Sequence, residues 1–334
     1  MKRNQTIDAG RILAAILVVI FHGVVFNIPW REQTFENLKW FYPISNLAVP
    51  FFFMVTGFFL SDQKEEGILR QAWSHFKLYA LYFPLFSIFT LLRAWALDLQ
   101  GLAPMKEVIG EQMTLINFFN GTFPALHLWY LLAGALALWL FYSLRRFKLP
   151  SWLITLFSVL IWFMAWESVE ENVFWDTHAN GGVWKALSFI ALGHWMGTYR
   201  RMLFPSLFFL VLTSVPYYKA HQHFGLKSSW TNLMLFLTMV ALFPILAVFP
   251  GKDNPLSRWG RDHSFFIYMY HPLVIYTYAT VVNEGLRLQH FGLQLILLTI
   301  FSVAVSVILG KYFDPWYRRT MKSIRKVLVP DEKR

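Results

Sequence analysis

The chain has 334 residues, of which 56% are hydrophobic, 19% aromatic and only 15% charged. A soluble domain carries about 25% charged residues, so the composition excludes an ordinary soluble globular protein. The sequence contains no cysteine, which excludes disulfides, thiolate metal sites and any covalent mechanism through a thiol of this chain.

Apolar segments recur from one end of the chain to the other, and each is long enough to cross a bilayer as a helix. We predict an all-α integral membrane protein, a bundle of about ten transmembrane helices in one transmembrane domain over residues 1–334. The predicted spans lie near 9–28, 43–60, 73–93, 127–143, 151–166, 184–200, 203–218, 231–249, 264–282 and 291–312. A β-barrel is disfavoured because stretches such as 151–166 are apolar on every face.

The basic residues gather at helix ends on one predicted side of the membrane. These residues are Lys2, Arg3, Arg145, Arg146, Lys148, Arg200, Arg201, Arg258, Arg261 and those of the tail from Lys311 onward. By the positive-inside rule, we predict that both termini are cytoplasmic and that residues 313–334 form a basic, solvated cytoplasmic tail. The net charge of +11 then reflects topology and attraction to anionic membrane lipids, with no need for nucleic acid as a partner.

The first predicted span carries two ionisable residues, Arg11 near its cytoplasmic end and His22 eleven residues later. At about 100° and 1.5 Å per residue, the two share one helix face, roughly 16 Å apart. Acyl-coenzyme A has a matching shape, with phosphates for Arg11 and a thioester to react beside His22, which could serve as general base. Simpler interpretations stay open: Arg11 as a snorkelling anchor, and His22 as a buried imidazole bonded to another helix.

The predicted outer side is acidic and aromatic. Residues 105–119 are too polar to span, and they form either an interfacial segment or an ordinary surface loop. In the next outer loop, Glu167, Asp176 and Trp166 are candidate acceptor-binding residues, because sugars offer hydroxyls to carboxylates and C–H faces to indoles. No metal site is expected, since the loop histidines have no carboxylate at ligand spacing; these histidines are His178, His221, His223 and His290.

Four motifs in chain order resemble those of the membrane-bound acyltransferase-3 family. The first is Asp8, Arg11 and His22, and the second is the helix from Val49 to Leu60, with Thr56 where the family usually has serine. The third is the segment His127-Leu128-Trp129-Tyr130, which resembles the family's HLWYL. The last comprises Asn254, Pro255, Leu256, Gly260, Ser264, Tyr268, His271 and Pro272.

The resemblance implies a ten-helix O-acyltransferase, in its common form an O-acetyltransferase. It would move an acyl group from cytoplasmic acyl-coenzyme A (acetyl-CoA) to an extracytoplasmic hydroxyl of a surface polysaccharide or glycolipid. It also implies catalytic roles for His22 and Arg11, and a donor site that includes Arg11, Trp129, Tyr130, Ser264, Tyr268 and His271. His271 with Pro272 could equally be polar packing at a helix irregularity.

The sequence departs from the family at the start of the third predicted span, where members often carry paired arginines. Arg70 and Lys77 are the nearest basic residues and are the candidates for donor phosphate contacts, although lysine lacks a bidentate fork. No soluble domain is seen after the tenth span, so transfer is expected within the bundle or through a separate partner. Assembly into a homo-oligomer is left open.

Two other functions are compatible with part of the pattern. A transporter or exporter of a polysaccharide or lipid-linked sugar would also have intramembrane charges, but no inverted repeat supports it. A sensor or scaffold with a structural histidine needs less chemistry, yet it leaves the four ordered motifs unexplained. The sequence therefore favours the acyltransferase, with transport as the alternative.

Overall fold

The computed structural model describes residues 4–25, 40–101, 104–167, 182–225, 228–281 and 291–328, and this part of the chain is helical without any β-strand. The helices are α1 Gln5–Val25, α2 Tyr42–Ser45, α3 Ala48–Leu60, α4 Glu65–Leu99, α5 Met105–Gln112, α6 Leu115–Asn120 and α7 Trp129–Arg146. They continue as α8 Ser151–Glu167, α9 Val183–Thr198, α10 Leu207–Phe224, α11 Ser229–Val248, α12 Pro255–Val281, α13 Phe291–Ile308 and α14 Asp314–Leu328. The all-α prediction is confirmed for these residues.

Every predicted span coincides with a helix or a pair of consecutive helices. By length and hydropathy, six segments of the described chain could cross a membrane: Gln5–Val24, Tyr42–Leu60, Glu65–Leu99, Leu126–Arg146, Ser229–Val248 and Gly292–Lys322. Helices α8 and α9, with 17 and 16 residues, are near the lower limit for spanning. The protein is thus a helical membrane protein, while the count of about ten stays a prediction.

Helices α3 and α9 pack with their backbones in direct contact. A Cβ atom on Gly57 would collide with the carbonyl of Ile190, and one on Gly193 would collide with the backbone of Met54. Small residues allow such approaches in membranes, where close van der Waals packing replaces the hydrophobic effect between helices. The two glycines therefore fix α3 against α9.

Helices α1 and α12 form a second close pair, since a Cβ atom on Gly260 would overlap the Asp8 carbonyl. The start of α1 is held by Asn4, whose Oδ1 accepts hydrogen bonds from the backbone N–H groups of Thr6 and Ile7 at 3.0 and 3.1 Å. Its Nδ2 donates to the carbonyl of Ala247 at 2.8 Å. This cap ties α1 to the end of α11 and fixes its position in the bundle.

The predicted tail is not simply solvated, because its first turns form α14 and pack on the bundle. Asp314 is buried and accepts hydrogen bonds from the hydroxyls of Tyr82 and Tyr270. Its other oxygen pairs with Arg318 Nε at 2.6 Å, and Arg318 also donates to the Tyr82 hydroxyl at 3.0 Å. The burial of an acid is offset by these three partners.

Two segments predicted to lie outside the spans are partly helical. The predicted outer segment 105–119 forms α5 and α6, with Thr114 capping α6 through a hydrogen bond from the Asn117 backbone N–H. His221 and His223 lie in the last turn of α10. The predicted span 203–218 thus ends before the helix does, since α10 continues to Phe224.

Candidate active site

His22 and His271 form a direct pair between α1 and α12. The Nδ1 atom of His22 lies 2.6 Å from the Nε2 atom of His271, and the two ring planes are nearly parallel, with centroids 4.9 Å apart. His22 is half-buried and His271 is fully buried. The close approach of α1 and α12 at Gly260 brings the two imidazoles together.

The backbone sets which nitrogen of each ring carries a proton. Nδ1 of His271 lies 2.9 Å from the carbonyl oxygen of Ile267, to which it can only donate. In a neutral imidazole the other nitrogen is then an acceptor, so Nε2 of His271 accepts a hydrogen bond from Nδ1 of His22. By the same rule Nε2 of His22 carries the lone pair, and it is the atom that can take a proton.

His127 completes a cluster of three histidines in the centre of the bundle. Its ring centroid lies 6.1 Å from that of His271, and it packs edge-on against Phe86 at 4.4 Å. The side chain is buried, and neither ring nitrogen has a hydrogen-bond partner among the described residues. Its backbone carbonyl accepts a hydrogen bond from the Tyr268 hydroxyl at 2.8 Å.

Aromatic rings connect this cluster with the neighbouring helices. Tyr268 lies 6.1 Å from His271 and 5.2 Å from Tyr130, measured between ring centroids. Tyr130 in turn stacks on Phe53 at 4.6 Å. Tyr268, from α12, and Tyr130, from α7, thus lie between the histidines and helix α3.

A polar cavity of about 480 Å³ lies at the start of α1, in the size range of small-molecule sites. It is lined by Asp8, Arg11, Thr56, Phe59, Leu60, Gln63 and Gln71. Arg11 pairs with Asp8 at 3.3 Å and lies over the Phe59 ring, its guanidinium carbon 5.7 Å from the centroid. The guanidinium of Arg11 is a permanent positive charge whose planar fork matches phosphate and carboxylate oxygens, so the cavity also suits an anionic ligand.

The predicted donor residues on α4 lie on its exposed face. Arg70 and Lys77 are exposed, and neither lines the cavity around Arg11. The inward positions belong to Gln71 and His75, which contact each other: Nδ1 of His75 lies 3.0 Å from the Gln71 carbonyl. The structure therefore separates Arg70 and Lys77 from Arg11.

The remaining predicted donor residues lie closer to the histidines. Ser264, Tyr268 and His271 are buried and share one face of α12, at helical spacings of four and three residues. Trp129 and Tyr130 are half-buried at the start of α7, next to His127. Of these residues, His271 contacts His22 directly, Tyr268 lies next to His271, and Tyr130 lies next to Tyr268.

The predicted acceptor residues cannot be placed, because Asp176 and the side chains of Trp166 and Glu167 lie outside the described residues. Within the described chain, no group of three or more acidic or histidine residues could hold a metal ion. Sequence reasoning missed two cavity residues, Gln63 in the turn before α4 and Gln71 on α4, because an uncharged amide gives no motif signal.

The match to a family model decides what this arrangement belongs to. Residues 4–311 match the model of the acyltransferase domain of the acyltransferase-3 family, which covers nearly the whole chain. The chain belongs to the acyltransferase-3 family. It is therefore an acyltransferase, and the histidine cluster and the Arg11 cavity lie within its matched residues.

This acyltransferase is also similar to two bacterial proteins. It is 24% identical over 330 residues to an amino-acid racemase of Enterococcus faecalis, covering 92% of this chain and 46% of that protein. It is 23% identical over 341 residues to a serine/alanine racemase of Enterococcus gallinarum, covering 95% and 47%. The chain thus spans about half the length of these relatives. No solved structure matches it.

Proposed function

We propose that this acyltransferase moves an acyl group from cytoplasmic acyl-coenzyme A to a hydroxyl of an extracytoplasmic acceptor. Acetyl is the first candidate for the acyl group. The acceptor class is a surface polysaccharide or a glycolipid. One observation carries the proposal: the His22–His271 pair leaves Nε2 of His22 as the proton acceptor, on the same helix as the cavity residue Arg11.

The chemistry of the proposed step follows from the protonation of His22. Nε2 takes the proton of the acceptor hydroxyl as its oxygen attacks the thioester carbonyl. The tetrahedral adduct collapses with cleavage of the C–S bond, and the leaving thiolate recovers the proton from the imidazolium. The products are an ester and free coenzyme A, and His22 returns to its neutral form. His271 holds His22 in the required tautomer, as an orienting partner does in other acid–base sites.

Arg11 is the proposed contact for the donor phosphates, because its planar fork can make two parallel hydrogen bonds to phosphate oxygens. Arg70 and Lys77, being exposed, would attract the donor to the entrance by charge and would not hold it in place. Trp129, Tyr130, Ser264, Tyr268 and His271 would line the path from this entrance toward His22. The distance along α1, roughly 16 Å, suits an extended pantetheine arm.

This proposal places the Arg11 end of the bundle at the cytoplasmic face of a bacterial inner membrane, with both termini inside. The support is the one-sided distribution of basic residues. Trp166 and Glu167, at the end of α8, and Asp176, in the following outer segment, would then lie on the acceptor side.

The names of the two relatives imply racemisation of an amino acid, which we do not extend to this chain. The chain accounts for 46% and 47% of those proteins, so their named activity can reside in the part that has no counterpart here. The acyltransferase match, in contrast, covers residues 4–311.

Incubation of the purified full-length protein with labelled acetyl-coenzyme A tests the proposal. We expect saturable binding and slow hydrolysis, because water can replace the missing acceptor. A transporter of a lipid-linked sugar, the alternative function, has no reason to bind coenzyme A. Absence of binding up to millimolar donor would therefore contradict the proposal and favour transport.

A further inference from the structure

A second polar cavity, of about 570 Å³, lies at the opposite end of the bundle from Arg11. Gln71 lines the first cavity and Arg93 lines the second, and these residues are about 33 Å apart along α4 at 1.5 Å per residue. The second cavity is enclosed by α4, the α6 segment, the start of α7 and α12. Its lining includes Phe89, Arg93, Asn120, Thr122, Trp129 and Tyr276.

We name this second cavity the outer cavity. It adjoins the cluster of His22, His127 and His271. On α4, Phe86 packs against His127 and Phe89, one turn later, lines the cavity. Trp129 lines it two residues after His127, and on α12 Tyr276 follows His271 by five residues. Three separate elements thus bring the cavity to within about one helical turn of the histidines.

The lining is cationic and contains no acidic residue. Arg93 Nε donates to Thr280 Oγ1 at 3.3 Å, and its guanidinium lies over the Tyr276 ring at 5.0 Å. Among the residues that the structure describes, no carboxylate lies within ion-pair distance of Arg93. A charge held in this way inside a membrane protein favours an anionic ligand.

Asn120 gives a second, independent indication of a ligand. Its side chain is 6% exposed, and its Oδ1 atom accepts no hydrogen bond from any described residue. An unsatisfied buried amide oxygen is costly, so a hydroxyl or amine donor in the cavity would stabilise it. The indole of Trp129 and the ring of Tyr276 offer apolar faces beside these polar atoms.

We propose that the outer cavity binds the acyl acceptor, a hydroxylated molecule that also carries a phosphate or carboxylate group. Arg93 contacts the anionic group and Asn120 accepts a hydrogen bond from a hydroxyl. A second hydroxyl is thereby directed toward the histidines. The identification of this ligand as the acyl acceptor rests on the proposed function. Binding of such a ligand to the cavity can be tested without the donor.

The absence of native cysteine makes the cavity directly testable by thiol labelling. Thr122→Cys places one thiol in the cavity, and Leu115→Cys places one nearby at a position that is 80% exposed and does not line it. Each variant is labelled in nanodiscs with an anionic (sulfonate) and a cationic (trimethylammonium) methanethiosulfonate. The anionic-to-cationic rate ratio is then compared between the two positions.

The ratio at Thr122→Cys should exceed that at Leu115→Cys by about four- to ninefold. One unit charge several ångströms away changes the local concentration of each reagent about two- to threefold, in opposite directions for the two reagents. In an Arg93→Gln background the two ratios should become equal. Equal ratios with Arg93 present would overturn the anionic part of the proposal.

Ligand protection then tests the hydroxylated anion. Glucose 1-phosphate should slow labelling of Thr122→Cys, whereas glucose or inorganic phosphate at the same concentration should not. If the anion belongs to a lipid, phosphatidylglycerol nanodiscs should give the protection that phosphatidylcholine nanodiscs do not. Protection by inorganic phosphate alone, or by none of these probes, would overturn the assigned ligand class. If a probe does protect Thr122→Cys, the additional substitution Asn120→Leu should remove that protection.

Binding of labelled acetyl-coenzyme A to the same Thr122→Cys protein separates the two proposals. A protein that binds the donor but shows neither charge selectivity nor protection retains the proposed function and lacks this acceptor site. A protein that shows selectivity and protection without donor binding keeps the anion-binding cavity and loses the proposed function.

Discussion

The imidazoles of His22 and His271 lie 2.6 Å apart, nitrogen to nitrogen, with their planes almost parallel at an interplanar angle of 8°. The pair is anchored at one end by the Ile267 carbonyl, which accepts from His271. A proton therefore has a defined position on each ring, and Nε2 of His22 is the basic atom at the other end.

His22 should be indispensable for transfer but not for folding or donor binding. General base catalysis contributes about 10²- to 10⁴-fold, so His22→Ala should show no detectable transfer over ordinary assay times. His22→Gln should fail as well, because an amide forms hydrogen bonds but takes no proton at neutral pH. Transfer of labelled acetyl and coenzyme A affinity are measured on the same preparations. Near-normal transfer by His22→Gln would make the imidazole structural, and His127 or His271 would become the candidate base.

His271 should act through the tautomer of His22. In His271→Gln the side-chain oxygen can still accept from Nδ1 of His22, whereas His271→Met has a similar volume and no comparable acceptor. We expect His271→Gln to retain at least about tenfold more transfer than His271→Met, because one hydrogen bond of about 1.4 kcal/mol corresponds to that factor. The pH dependence of kcat should change in His271→Met alone. Equal losses in both variants, with unaltered pH profiles, would reduce His271 to a packing residue.

Arg11→Lys should weaken donor binding although the charge is kept. A lysine cannot reproduce a bidentate phosphate contact, and we expect the Kd for acetyl-coenzyme A to rise about tenfold. Arg258→Lys is the matched control, since Arg258 is exposed and pairs with Asp253 outside the cavity. Binding is measured by titration of the purified proteins. An affinity unchanged in both variants would return Arg11 to the role of a membrane anchor.

Gly193→Ala should destabilise the protein, because the added methyl group has no space against the backbone of Met54. Overpacking costs about 1–3 kcal/mol, and we expect the thermal midpoint to fall by several degrees. Gly110→Ala is the control, since no atom lies within contact distance of a Cβ there and alanine favours the helix. A midpoint in Gly193→Ala equal to that of the Gly110→Ala control would show that α3 and α9 can separate at no cost.

The topology can be tested with activity reporters fused after the N-terminus, in the 144–150 loop and at the C-terminus. All three should report a cytoplasmic location, because each segment carries clustered basic residues. A C-terminal reporter on the outside would mean an odd number of spans, and the predicted list of about ten would then be wrong.

The helices and the shared face of Arg11 and His22 could be predicted, because apolar length and helical periodicity are local properties of the sequence. The partner of His22 could not be predicted, since the contact joins residues 249 positions apart and no local pattern encodes it. The motif search did single out His271, but only as a donor-site residue.

The two sides of α4 show a different limit. This helix is apolar around most of its circumference, so its sequence does not reveal which residues face the bundle. Lys77 and Arg70 were chosen for their charge and lie on the exposed face, whereas the cavity residue is the uncharged Gln71. Arg93 was predicted only as the last residue of a span. It lines a cavity because the α6 segment folds against it, and the sequence of α4 does not show this contact.

The glycine contacts divide part of the bundle into two pairs that cannot spread apart, α3 with α9 and α1 with α12. The Arg11 cavity lies between these pairs, since Asp8 and Arg11 come from one and Thr56 and Phe59 from the other. Between the pairs, no such backbone collision is seen for α1 and α3, whose contacts include the ring of Phe51 beside Gly10 and the guanidinium of Arg11 over Phe59. Widening of the entrance would therefore occur by shear of one pair past the other, and His22 and His271, both carried by the same pair, would move as a unit and keep their hydrogen bond.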